Sequence, residues 1–227
     1  MTLDAIAEEG LQGVSDELSS LITGLTEASA GSVEERKDTR EKLLAAAMPA
    51  FASDGFKATT IRSLATAVKI TPGAVYAHFD SKEAILSAAL ARAYRKFLLD
   101  VVVPPDPPGP DARLKGLCQR HIKFQMENRA VASASDTLLM NETILQVVDP
   151  NTVALLRQAR ASYYETIRAE VAQLRSEKAA ARAEIQARAI LVLCDSASAE
   201  PRPETAALDQ KTVINEYLQV IWHVLGH

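Results

Sequence analysis

The 227-residue chain has little of what several protein classes require. It contains two cysteines, Cys118 and Cys194, far apart and without a Cys-x-x-Cys pair, so neither a disulfide framework nor a zinc site is indicated. Its four histidines (His78, His121, His223, His227) show no His-Glu-x-x-His or other paired ligand spacing, and no metal is expected. No glycine-rich phosphate loop, Gly-x-Ser-x-Gly elbow or paired catalytic carboxylates occur, so neither an enzyme nor a cofactor is expected. No uncharged apolar run approaches the ~18 residues of a membrane span, and the N-terminus lacks a basic export signal. A cytoplasmic protein without membrane partners is the expectation. Alternating β-branched runs with hairpin turns are missing too, which leaves helical periodicity and an all-α fold.

What is present is an uneven charge distribution. The net charge is −4, yet residues 1–35 hold eight acidic side chains and no basic one, whereas residues 36–82 hold eight basic against four acidic. A local basic excess suits a polyanion even when the whole chain is acidic. Within 1–35, Leu11, Val14, Leu18, Leu21, Ile22 and Leu25 recur at helical spacing. The acidic composition favours a flexible, solvated extension; a helix packed on the body and an acidic arm competing with DNA are the alternatives.

From Thr39 onward the pattern sharpens. Leu43, Leu44, Ala47, Ala50 and Phe51 share one helix face, with Gly55 as the stop and Pro49 a bend inside it. Thr59 or Thr60 caps a short helix carrying Ile61, Leu64, Ala65 and Val68. Thr71 and Pro72 open the next, with Val75 and Phe79 turned inward. Asp80 or Ser81 caps a longer helix through Ile85, Leu86, Leu90, Tyr94 and Phe97 to about Val103. The proline-rich run 104–110 is a stiff connector, followed by helical stretches near 111–129, 131–148, 151–176, 180–198 and 205–225.

Two short helices joined by a tight turn, the second opening on small and hydroxylated residues, are the geometry of a helix-turn-helix. The residues then carry a resemblance. Phe51-x-x-x-Gly55-Phe56, Thr59-Thr60-Ile61-x-x-Leu64-Ala65, Gly73-x-x-Tyr76-x-x-Phe79 and Ser81-Lys82-Glu83 resemble the DNA-binding domain of the tetracycline-repressor family of bacterial regulators. The resemblance implies a homodimeric, ligand-responsive repressor: a flexible extension over 1–35, a DNA-binding domain over 36–85, and a ligand-binding and dimerisation domain over 86–227. Its implied partners are a palindromic double-stranded operator and a small apolar or amphipathic effector. It also implies that Thr60 and Arg62 contact backbone or a base edge, that Thr71, Pro72, Gly73 and Tyr76 face the groove, and that His78 and Lys82 meet phosphates. Lys69 stands where the family usually has glycine, and either strains the turn or contacts phosphate.

In the larger domain His121, Phe124, Gln125, Met140, Tyr163 and Tyr164 lie on apolar faces that could line a cavity, or could be plain core. The stretch from Asn141-Glu142 to Tyr163-Tyr164-Glu165 resembles the branch of the family that senses acyl-CoA thioesters and lipid or steroid catabolites. Arg157 and Arg160, three apart on one helix, could answer such a ligand's anionic groups or form a solvated face. The last two helices, carrying Ile190, Leu191, Cys194, Ile214, Tyr217, Leu218, Ile221 and Trp222, are expected to dimerise. Two further readings stay open: a repressor of an efflux operon sensing a hydrophobic drug, and a helical carrier or interaction module that binds no DNA.

Overall fold

The computed structural model describes residues 15–30, 37–105, 107–174, 180–199 and 203–226. Among the described residues there is no strand, and no helix is long and apolar enough to cross a membrane. The helices are α1 (Asp16–Ser29), α2 (Lys37–Ser53), α3 (Ile61–Ala67), α4 (Pro72–Tyr76), α5 (Lys82–Phe97), α6 (Pro110–Glu127), α7 (Arg129–Leu139), α8 (Glu142–Leu145), α9 (Pro150–Gln173), α10 (Ala180–Asp195), α11 (Pro203–Ala206) and α12 (Gln210–Leu225).

The chain forms two compact units. One joins Ser19–Lys96 to Ala130–Gln158; the other joins Met1–Leu18 and Phe97–Arg129 to Ala159–His227. In the first, Leu43, Leu44, Ala47, Met48 and Phe51 of α2 are buried with Leu64 and Ala65 of α3, Val75 of α4 and Ile85, Leu86 and Leu90 of α5. The Phe51 and Phe56 rings lie 5.3 Å apart and close this core on one side. Pro49 lies within α2, which continues across it to Ser53 as packing of the apolar face predicts.

A solvated extension is not what residues 16–29 form. They fold as α1 and bury Leu21, Ile22 and Leu25 of the predicted stripe, with Leu18 half-buried on the same face. Burial of three large aliphatic side chains, worth about 1.5–3 kcal/mol each, outweighs the solvation of Asp16, Glu17 and Glu27, which remain exposed. Leu11 and Val14 lie outside the described residues.

In the second unit α6, α10 and α12 pack together. Leu114, Leu117 and Cys118 of α6 are buried with Ala187, Ile190 and Cys194 of α10 and with Ile214, Leu218, Ile221 and Leu225 of α12. The hydrogen bond to Cys118, and then burial, push the Cys194 thiol well above its ordinary value, so this pair is an inert part of the core. Asp209 caps α12 by accepting from the Thr212 backbone N–H at 2.8 Å, and that bond holds its carboxyl below the usual range. Two boundaries differ from expectation. The helix after Ser81 changes to a π turn over Leu98–Val102, where Arg120 Nε donates to the Val101 carbonyl at 2.7 Å. The predicted helix over 131–148 is broken after Leu139, where Asn141 caps the short α8 by accepting from Ile144 N.

Candidate nucleic-acid interface

The two short helices α3 and α4 are set by local bonds that their sequences supply. Thr60 Oγ1 accepts from Ser63 N at 3.0 Å and Ser63 Oγ accepts from Thr60 N at 3.0 Å, a reciprocal cap on α3. Buried Thr59 donates to the carbonyls of Ala50 and Gly55, fixing the loop that Gly55 turns at φ +86°. At the end of α3, Ile70 N donates to Ala65 O and Lys69 N to Thr66 O, the paired bonds of a Schellman stop. That motif places its penultimate residue in the left-handed region, and Lys69 sits there at φ 61°. Thr71 Oγ1 then accepts from Ala74 N at 3.2 Å, with Pro72 as the first residue of α4.

These bonds leave one side of the helix pair exposed: Thr60, Arg62, Lys69, Thr71, Pro72 and Gly73, with the Tyr76 side chain 57% exposed. The opposite side carries buried Leu64, Ala65, Val75 and Phe79. Gly73 has a helical φ, and a Cβ built on it meets nothing closer than Thr71 Oγ1 at 4.0 Å. Folding therefore does not require glycine here, whereas close approach of a groove wall would. His78 is half-buried, and its backbone carbonyl accepts from Arg40. Lys82 acts within the fold, where its ammonium donates to Phe56 O at 2.6 Å and Thr59 O at 2.8 Å and lies over the Phe56 ring. Two of its three donors thus tie the start of α5 to the loop before α3, a role its sequence position does not reveal.

Changing Lys69 to Gly separates turn from charge. Relief of the positive φ should raise stability by about 1 kcal/mol, seen as a melting temperature higher by roughly 2–4 °C. DNA affinity should fall and lose about one unit of salt slope per subunit if the ammonium meets phosphate. An unchanged salt slope would assign Lys69 to the turn alone.

Residues 43–89 match the profile of the bacterial regulatory proteins of the tetR family. Over these residues the chain is similar to the DNA-binding domain of that family. KstR2 of Rhodococcus jostii, an HTH-type transcriptional repressor, is 38% identical over 77 residues, covering 34% of this chain and 36% of that protein. The chain spans half or less of the length of the curated relatives it matches. A tetR-family regulatory protein of Rhodococcus RHA1 is 25% identical over 82% of this chain and 95% of its own, with a TM-score of 0.64. AibR, in complex with isovaleryl coenzyme A and operator DNA, has a TM-score of 0.64 over 79% of this chain and 96% of its own. At 16% identity AibR shares the fold alone.

Four of the eight residues expected at an effector site come together in the second unit. His121 Nδ1 meets Tyr163 Oη at 3.1 Å; its Nε2 lies 3.0 Å from Asp195 Oδ1 and 3.2 Å from Gln125 Nε2. The Phe97 ring packs edge-on against His121, Phe124 and Tyr163 with centroids 4.9, 5.3 and 5.0 Å away. Asp195 belongs to this network and was not among the expected residues; one carboxylate near the end of α10 gives no sequence signal of its own. The other four do not join it. Met140 is 75% exposed, Arg157 pairs with Glu142 at the surface, Arg160 is exposed, and Tyr164 lies beneath the Arg188 guanidinium.

A groove of about 1310 Å³ in the first unit runs between α1, the end of α4 and the start of α9. Glu27, Asp80, Glu83 and Asp149 line it together with Arg40, and none of the eight expected effector residues does.

The expected dimer residues require a correction. Ile190, Cys194, Ile214, Leu218 and Ile221 are buried within the chain itself, so a partner cannot reach them; Leu191, Tyr217 and Trp222 are half-buried. The helices have two apolar sides, and the sequence pattern did not say which one faces inward. The aliphatic residues left on the outer side are Ile185 (68% exposed) and Val192 (67%) of α10, seven apart, and Val220 (49%) of α12.

Proposed function

We propose that the chain is a dimeric transcriptional repressor, released from a near-palindromic operator by a small apolar or amphipathic effector. Residues 36–85 form the DNA-reading part and residues 86–227 the sensing and dimerising part. The role is binding rather than catalysis, and its place is the cytoplasm, where the DNA is.

The observation that carries this reading is the continuity of α5. Its first residue, Lys82, is bonded to the loop that sets the reading helices, and its last, Phe97, lies in the ring cluster with His121, Phe124 and Tyr163. An effector that displaces Phe97 therefore acts on the same helix whose first residue is bonded to that loop. Buried Gln125 Oε1 accepts no hydrogen bond among the described residues, which leaves an acceptor for an effector's donor. AibR, which shares the fold, is known with isovaleryl coenzyme A and operator DNA together, and this supports an acyl-CoA or related lipid catabolite as the effector class. Release requires the effector to bind the two head arrangements with different affinity.

Selection of genomic fragments by the full-length protein at moderate salt tests the reading. Enrichment of one near-palindrome, weakened by a medium-chain acyl coenzyme A, is expected; retention of all fragments at a uniform, steeply salt-dependent level would reject a specific repressor. The dimer face has its own test. Val192→Asp should convert the dimer to monomer in light scattering and lower operator affinity at least ten-fold, because two half-sites must be held together. A dimer undisturbed by both Val192→Asp and Val220→Asp would place the interface elsewhere.

A further inference from the structure

The reading helix α4 has five residues, too few to hold its own direction. What holds its C-terminal end is Arg40, from the first turn of α2. Arg40 Nη1 donates to the His78 carbonyl at 2.7 Å, and its guanidinium lies 3.9 Å over the Phe79 ring. The other donors of the same group reach the end of α1: Nε and Nη2 donate to Ser29 O at 3.2 and 3.1 Å, and Nη2 to Ala30 O at 2.9 Å. One planar cation thus binds the carbonyl end of α1, where the helix dipole favours positive charge, and the segment that follows α4.

At the far side α1 is itself fixed. Leu21, Ile22 and Leu25 are buried, and Arg95 Nε of α5 donates to Thr26 Oγ1 at 2.6 Å. Gly24 lets α1 approach α9 so closely that a Cβ there would sit 2.8 Å from Leu155 Cδ2. The tetR-family profile begins at residue 43, so neither α1 nor Arg40 lies within it.

We propose that α1 is a splint of the reading head, and that Arg40 is the positioning residue through which α1 fixes how α4 meets the groove. The proposal rests on α4 being the reading helix. It makes operator affinity depend on the docking of α1, and it replaces the view of the N-terminal segment as an acidic competitor for the DNA site.

The test uses the full-length chain with the near-palindromic duplex recovered by selection and a scrambled duplex of equal length. Arg40→Ala and Leu25→Asp are each expected to lower affinity for the palindrome ten-fold or more, while affinity for the scrambled duplex changes less than three-fold. The double variant should be no weaker than the weaker single one, since both break one link. Arg40→Lys keeps the charge but not the fork, and should remain within three-fold of Arg40→Ala; full recovery by lysine would overturn the proposal in favour of plain attraction to phosphate. Thr26→Val, which removes the Arg95 bond without changing charge or size, serves if the stronger variants unfold. A loss of two-fold or more is then expected, and no loss overturns the splint. Unchanged binding in Arg40→Ala alongside lost binding in Tyr76→Ala overturns the splint and keeps the reading helix; unchanged binding in both rejects α4 as the reading helix.

Discussion

Tyr76→Ala is expected to lower operator affinity about 30- to 100-fold while leaving the dimer and the melting temperature nearly unchanged. The phenol is the largest exposed side chain on α4, set outward because Val75 and Phe79 on the same short segment are buried. A groove contact of this kind is worth roughly 1–1.5 kcal/mol, and a two-fold dimer makes it twice, so the loss approaches 2–3 kcal/mol, which is about the stated ratio. Stability should shift by less than about 0.5 kcal/mol because little apolar contact within the protein is lost. Titration of the selected duplex at two salt concentrations measures the effect. If Tyr76 reads bases or packs on sugars, the affinity drops with little change in salt slope; a drop carried wholly by the slope would mean that it meets only phosphate.

His121→Leu is the second large effect, and it falls on stability and effector response rather than on DNA binding. His121 is buried and bridges Tyr163 on one side to Asp195 and Gln125 on the other. Leucine fills similar space yet removes the buried bond between His121 Nδ1 and the Tyr163 hydroxyl, a loss of about 1–3 kcal/mol, while Gln125 Nε2 keeps its bond to Asp195 Oδ1 at 3.1 Å. A net loss of about 1–2 kcal/mol is expected after the gain from the apolar side chain, or a melting temperature lower by roughly 2–8 °C. Apo operator affinity should stay within about three-fold, since a buried change away from the reading surface alters no groove contact, whereas release by acyl coenzyme A should be lost. An unaltered melt would show the network to be energetically idle. An intact response in a destabilised variant would move the effector away from this cluster.

The helix-turn-helix was legible because its determinants are neighbours in the chain. The Thr60–Ser63 cap, the Thr71 cap with Pro72 behind it, the Gly55 turn and the positive φ at Lys69 are each settled within about five residues. Such bonds form in the same way wherever the segment sits, so the residue types disclose them. The Ser81 cap, which accepts from Ala84 N, resolves the choice between Asp80 and Ser81 by the same local rule.

The ring and imidazole cluster was only half legible. His121, Phe124 and Gln125 share one face of α6, and the apolar pattern of that face is visible in the sequence. Its closure by Tyr163 from α9, Phe97 from α5 and Asp195 from α10 is not, since these partners lie as many as 74 residues away. The sequence therefore showed the ingredients of this cluster but not its assembly.

By itself the sequence determined the all-helical class, the basic segment over 36–82 and the position of the two short helices, through periodicity and capping that act over one or two turns. Only the tertiary structure decided that α1 is docked, that Arg40 and Lys82 spend their donors on backbone carbonyls, and that Ile190 and Ile221 face inward while Ile185 and Val192 face out. The reason is the same in each case. A periodic pattern specifies that a face will be buried and a cation that it will find acceptors, but which surface covers the face, and which carbonyls lie within 3 Å of the cation, depends on where distant segments come to rest.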